Sequence, residues 1–120
     1  MSARSRLRLL AVFMAVSVPS FAWAHAILED STPPAGGSVH AGTIDVRLRY
    51  NSRIDRERSR LTLTGPNHTQ ASVPIAPNGP PDIMAAHLDL KPGGYVLRWQ
   101  VLAVDGHITR GDVPFTVTEH

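Results

Sequence analysis

Three segments of the chain alternate apolar and polar residues with a period of two, and that pattern leaves few folds open. In "TIDVRLRY", Ile44, Val46, Leu48 and Tyr50 fall on one side while Asp45, Arg47 and Arg49 fall on the other. "GGYVLRWQVLA" groups Tyr95, Leu97, Trp99 and Val101, and "DVPFTV" groups Val113, Phe115 and Val117. Successive side chains of a strand point to opposite faces, so each segment reads as a strand with one buried and one wet face. Tyr95 and Trp99 therefore read as core residues. Weaker strand signals run from Ala26 to Leu28, through "RLTLTG", "ASVPI" and "AAHLDL". They are punctuated by "STPPAGG", "GPN", "APNGPP" and "KPGG", where Pro fixes φ and Gly permits positive φ. "NSRIDRERSR" reads as a loop or a single helical turn, and Pro-rich residues 74 to 81 as a long surface loop. About seven short strands between turn signals indicate an all-β fold, an antiparallel immunoglobulin-like β-sandwich.

The first 24 residues follow a different logic. Arg4, Arg6 and Arg8 precede the apolar stretch "LLAVFMAVSVPSFA", and Ala22-Trp23-Ala24 is a small-x-small cleavage site. That is the pattern of a cleaved signal peptide over residues 1 to 24, leaving one domain over residues 25 to 120. As a membrane anchor the 16 residues from Leu9 to Ala24 fall short of the roughly 20 that a spanning helix needs. Cleavage also changes the charge. The whole chain carries +2, but residues 25 to 120 hold nine basic and ten acidic side chains, a net of −1. The basic balance of the precursor is thus no argument for nucleic acid. The remaining 96 residues suit one small core, and with no Cys there is neither a disulfide to brace it nor a thiolate to bind a metal. No later segment has the length of a membrane span, so the expected product is an exported, soluble single domain.

The cut would make His25 the first residue. An amino-terminal His offers two nitrogens from one residue, the free α-amine and ring Nδ1, which close a chelate ring around one ion. The amine's pKa lies near ~7.7 to 8.0, so displacing its proton costs little at neutral pH. Some residue must follow every cleavage site, however, and His25 by itself is equally read as incidental. A second feature is "VDGH", residues 104 to 107. In an extended segment Asp105 and His107 would project from one face, and with His25 they offer three nitrogens and a carboxylate oxygen. That set suits tetragonal Cu(II), which prefers N and O ligands and tops the Irving–Williams order. The plainer reading of "VDGH" is a turn, because Asp-Gly is a common turn pair.

The start "HAILEDSTPPAGG", the block "PGGYVLRWQVLAVDGH" and the closing "GDVPFTV" together resemble the CopC family of periplasmic copper-binding proteins. In that family an amino-terminal His and a D-x-H pair bind Cu(II) on a β-sandwich, which maps onto His25, Asp105 and His107. The resemblance implies that Asp105 is a weaker or axial ligand, that the location is periplasmic, and that a CopD-like membrane copper transporter is a recipient. Two departures stand out. Some members carry Met-rich segments for Cu(I), whereas residues 25 to 120 contain only Met84; soft Cu(I) favours sulfur ligands, so a Cu(II)-only variant is expected. Some members also have a Glu near the Cu(II) site after the first long strand, where this chain reads "YNS" with Ser52.

Other residues have blander readings. His40, His68 and His120 fall in turn-like or terminal segments and read as solvent-exposed. His87 lies two residues from Asp89 and on one face with it, leaving a surface role or a metal contact open. The run Arg47, Arg49, Arg53, Arg56, Arg58 and Arg60 reads as a solvated, mixed-sign surface rather than a docking face, being interleaved with Asp55 and Glu57. "NHT" at 67 to 69 matches a glycosylation sequon, too short a match to carry weight. The leading function is copper binding for homeostasis, resistance or delivery, without catalysis. Two alternatives stand beside it. Lytic polysaccharide monooxygenases also bind copper through an amino-terminal His on such a sandwich, and a metal-free adhesion module would use the same fold.

Overall fold

The computed structural model describes residues 26 to 119; the predicted signal peptide, His25 and His120 lie outside them. Eight strands follow in order: β1 (Leu28–Thr32), β2 (Gly37–His40), β3 (Gly42–Tyr50), β4 (Ile54–Thr64), β5 (Gln70–Val73), β6 (Ile83–Leu90), β7 (Gly93–Ala103) and β8 (Ile108–Thr118). They form a three-stranded sheet in the order β1-β3-β6 and a five-stranded sheet in the order β2-β8-β7-β4-β5. The expected β-sandwich is present, with one strand more than the sequence suggested.

Alternation does the sorting. Along β3 every second residue from Ile44 to Tyr50 is buried, and Asp45, Arg47 and Arg49 are exposed. Leu97, Trp99 and Val101 of β7 and Val113, Phe115 and Val117 of β8 join them, with Leu61 and Leu63 of β4 and Met84 and Ala86 of β6, in one core. Tyr50 meets Trp99 edge to face at 5.3 Å between ring centroids, and this contact joins the two sheets. Opposite Trp99 in the β7–β8 ladder stands Gly111. A Cβ there would lie 2.4 Å from the Trp99 ring, so the glycine is the notch that admits the indole. Tyr95 is only half-buried; it stacks on Phe115 at 5.7 Å and donates its hydroxyl to the Lys91 carbonyl.

Three expectations are corrected. β2 is a strand that the turn-rich segment concealed, and it pairs with β8 in parallel, so the sandwich is not wholly antiparallel. It has four residues, of which only Val39 packs on the core, too little for a pattern to register. The first strand begins at Leu28 instead of Ala26. "NSRIDRERSR" is neither loop nor helix but mostly the first half of β4, whose pairing with β7 shifts register between Asp55 and Arg60. There the Ser59 hydroxyl donates to the Asp55 carbonyl and accepts the Leu102 N–H. A side chain thus replaces a ladder partner, and the bulge breaks the alternation that a sequence reader follows. The bulged Arg56 donates to the carbonyls of Gly79, Pro80 and Ile83, fastening the Pro-rich connection to the sandwich. Arg49 pairs with Glu29 and Arg58 with Asp55, as a mixed-sign surface requires.

Two substitutions probe this core. Gly111→Ala should destabilise the fold by about 1–3 kcal/mol, the usual cost of overpacking, read as a lowered midpoint in urea. The Tyr50 hydroxyl is buried without a hydrogen-bond partner, and burial pushes its pKa far above the ordinary phenol value. Leaving such a group unsatisfied costs about 1–3 kcal/mol. Tyr50→Phe should therefore unfold at the same or a higher temperature; a clear fall would mean the hydroxyl is satisfied in solution.

Candidate metal centre

β7 and β8 form a hairpin of two 11-residue strands, and residues 104 to 107 close it. The turn is tight: Gly106 N–H donates to the Ala103 carbonyl at 2.9 Å and Ala103 N–H to the His107 carbonyl at 2.8 Å. Gly106 has φ +92°, a conformation that a side chain resists, which explains the Asp-Gly pair. The segment is therefore a turn and not the extended stretch considered from sequence. The turn nonetheless brings the two candidate side chains together. Asp105 Oδ1 accepts the His107 backbone N–H at 3.0 Å, and Asp105 Oδ2 lies 2.7 Å from His107 Nδ1.

This contact fixes the imidazole. A carboxylate only accepts, so Nδ1 carries the proton and Nε2 the lone pair of the neutral ring. Metal-ligating histidines are commonly oriented in this way by a carboxylate on the other nitrogen. The His107 side chain remains about half exposed and Asp105 about a quarter. Val104, Ile108 and Ile27, the large apolar residues that stand exposed on the described surface, flank the turn or the chain start beside it.

The first described residue is drawn to the same end of the sandwich. Ala26 is completely buried, and its carbonyl accepts the Thr109 hydroxyl at 2.8 Å. Thr109 lies two residues beyond His107. Among the described residues no group of three or more His, Asp or Glu side chains is placed to hold a metal. Asp105 and His107 thus form a candidate pair among the described residues; His25 is not one of those residues.

The other histidines are elsewhere. His40 and His68 are exposed, the latter in a short 3-10 turn at Pro66–His68. His87 Nδ1 lies 2.7 Å from Asp45 across the β3–β6 ladder, so its partner is not Asp89. Asp45 is five residues from Tyr50, roughly 17 Å along the strand, so His87 sits away from the β3 end that abuts the chain start. Sequence spacing within one strand suggested the wrong carboxylate, because the neighbour comes from the paired strand. A cleft of about 400 Å³ on the outer face of the larger sheet, lined by Thr62, Thr64, Gln70, Val96, Arg98 and Asp112, is also remote from the turn. There Arg98 holds Asp112 through two hydrogen bonds and keeps its carboxyl below the ordinary range; no metal-ligating group completes it. Met84 is fully buried in the core.

The CopC domain family matches residues 28–118 of the chain, from the start of β1 to the end of β8. The chain belongs to this family. CopC from Methylosinus trichosporium OB3b superposes with a TM-score of 0.69 at 28% identity, over 78% of this chain and 93% of that one. PcoC, a methionine-rich copper resistance protein from Escherichia coli, gives 0.63 at 28% identity, over 79% of this chain and 100% of its own. Protein YobA of Escherichia coli K12 is 32% identical over 120 residues, covering 97% of each chain. As a CopC-domain protein the chain is not an enzyme, which sets aside the monooxygenase alternative.

The ring assignment is testable without metal. Nitrogen-proton correlation spectra of the apo protein should show His107 protonated at Nδ1, and Asp105→Ala should shift the ring toward the Nε2–H tautomer. An unchanged tautomer in that variant would show that the carboxylate does not set it.

Proposed function

We propose that the chain is a periplasmic copper resistance and homeostasis protein that carries Cu(II) through His25, Asp105 and His107 after removal of residues 1 to 24. His25 supplies its α-amine and ring nitrogen, His107 supplies Nε2, and Asp105 orients His107 and adds negative charge beside the dication. Copper is cargo here and the protein does no chemistry on it.

The observation that carries the reading is the Asp105–His107 contact at 2.7 Å, in a turn beside the bonded pair of Thr109 and Ala26. One described imidazole is presented to solvent with its ring nitrogens distinguished, and the backbone leading to the proposed second ligand is bound two residues away. Two lines of evidence favour Cu(II) over Cu(I). The proposed donors are nitrogens with a carboxylate beside them, and the sole Met outside the leader is buried in the core. This contrasts with the methionine-rich PcoC. Ile27, Val104 and Ile108 are exposed apolar side chains available for contact with a recipient, which by resemblance is a CopD-like membrane protein.

The test is a Cu(II) titration monitored by electron paramagnetic resonance, comparing protein that begins at His25 with protein carrying one extra residue before it. The mature form should bind one ion tightly with a nitrogen-rich tetragonal spectrum, and the extended form should bind more weakly. His107→Ala should weaken binding by at least about 100-fold, more than loss of an outer-sphere partner costs. Equal binding by wild type and His107→Ala would reject the assignment.

A further inference from the structure

A chain end normally frays, since ordering each residue costs about 1–2 kcal/mol of backbone entropy. Here the residues next to the start are held from both sheets. Ile27 N–H donates to Asn51 Oδ1 at 2.8 Å, and Asn51 N–H donates to the Ile27 carbonyl at 3.0 Å. Asn51 directly follows β3, so one residue of the smaller sheet's turn brackets Ile27 on both its backbone groups. The hydroxyl of Thr109, near the start of β8 in the larger sheet, donates to the Ala26 carbonyl at 2.8 Å. Between these anchors the Ala26 side chain is fully buried in the core.

We infer that Asn51 and Thr109 are positioning residues: they hold residues 26 and 27 between the two sheets and so preorganise the backbone from which an amino-terminal residue 25 would bind copper. The inference rests on the amino-terminal copper reading above. Its physical basis is preorganisation. A chelating residue on a frayed end must be ordered when the ion binds, which reduces affinity, whereas a seated one has already lost that freedom on folding. The residue types fit the task. Asn supplies a side-chain acceptor alongside its own backbone donor, and Thr supplies a hydroxyl donor. Thr109 lies two positions beyond His107, near the start of β8, the strand into which the turn leads. The bond to Ala26 therefore ties residue 26 to the strand that follows the ligand-bearing turn and not merely to the domain.

The experiment combines Thr109→Val, Thr109→Ser and Asn51→Ala with the two amino-terminal forms, beginning at His25 or extended by one residue. Folding is verified for each by thermal unfolding. In the metal-free mature protein the Ile27 amide should be protected from hydrogen exchange, and Asn51→Ala should abolish that protection. Thr109→Val and Asn51→Ala should each weaken Cu(II) binding by about 10–100-fold, the range for outer-sphere partners, in the mature form only. Thr109→Ser should restore affinity. Folded variants that bind copper as well as wild type, or that lose affinity equally in both forms, would overturn the positioning role. Equal binding by the wild-type mature and extended forms would instead overturn the amino-terminal reading beneath it.

Discussion

The fold depends on the contact between Tyr50 and Trp99. No disulfide links the sheets, because the chain has no Cys, so their relative placement rests on side-chain packing together with hydrogen bonds such as that from Arg56 of β4 to the Ile83 carbonyl of β6. The two rings meet edge to face at 5.3 Å, and Gly111 leaves the space that the indole fills. Aromatic contacts of this geometry add about 0.5–1.5 kcal/mol beyond the area they bury. Their larger effect is to set how the sheets sit against one another. Residues 26 and 27 are bonded to β8 and to Asn51 after β3, and the hairpin turn joins β7 to β8, so the spacing between these two segments is inherited from this packing.

The legible parts of the fold were those in which burial alternates without interruption. β3, β7 and β8 each have one dry face, and their patterns Ile44 to Tyr50, Leu97 to Val101 and Val113 to Val117 appear in the structure as read. What escaped reading had a physical cause in each case. β2 is too short to show a period. β4 hides its start behind a bulge in which Ser59 substitutes for backbone. The parallel pairing of β2 with β8 joins segments more than seventy residues apart in sequence, and no local pattern encodes such a partner.

The candidate pair was legible in sequence, but its geometry was not. Asp105 and His107 were identified from their spacing, and the turn reading and the paired reading proved compatible: the positive φ of Gly106 accompanies the fold-back in which the carboxylate meets the ring. The hydrogen bonds that Asn51 and Thr109 make to residues 26 and 27 were invisible, since nothing distinguishes an Asn after a strand or a Thr within one until those bonds are seen. His87 illustrates the converse. A carboxylate two residues along its own strand is a poorer guide than the residue directly across the ladder, Asp45.

The placement of Asp105 and His107 within a four-residue connection has a further consequence. Their backbone is closed by two local hydrogen bonds, and none of Val104, Asp105, Gly106 or His107 belongs to the buried core. Apart from Gly106, whose positive φ favours glycine, the connection is therefore free of the constraints that packing places on the core. Side chains at Val104, Asp105 and His107 can be exchanged while the hairpin beneath keeps its register, so the chemistry displayed at this end of the sandwich is decoupled from the packing that holds the domain together.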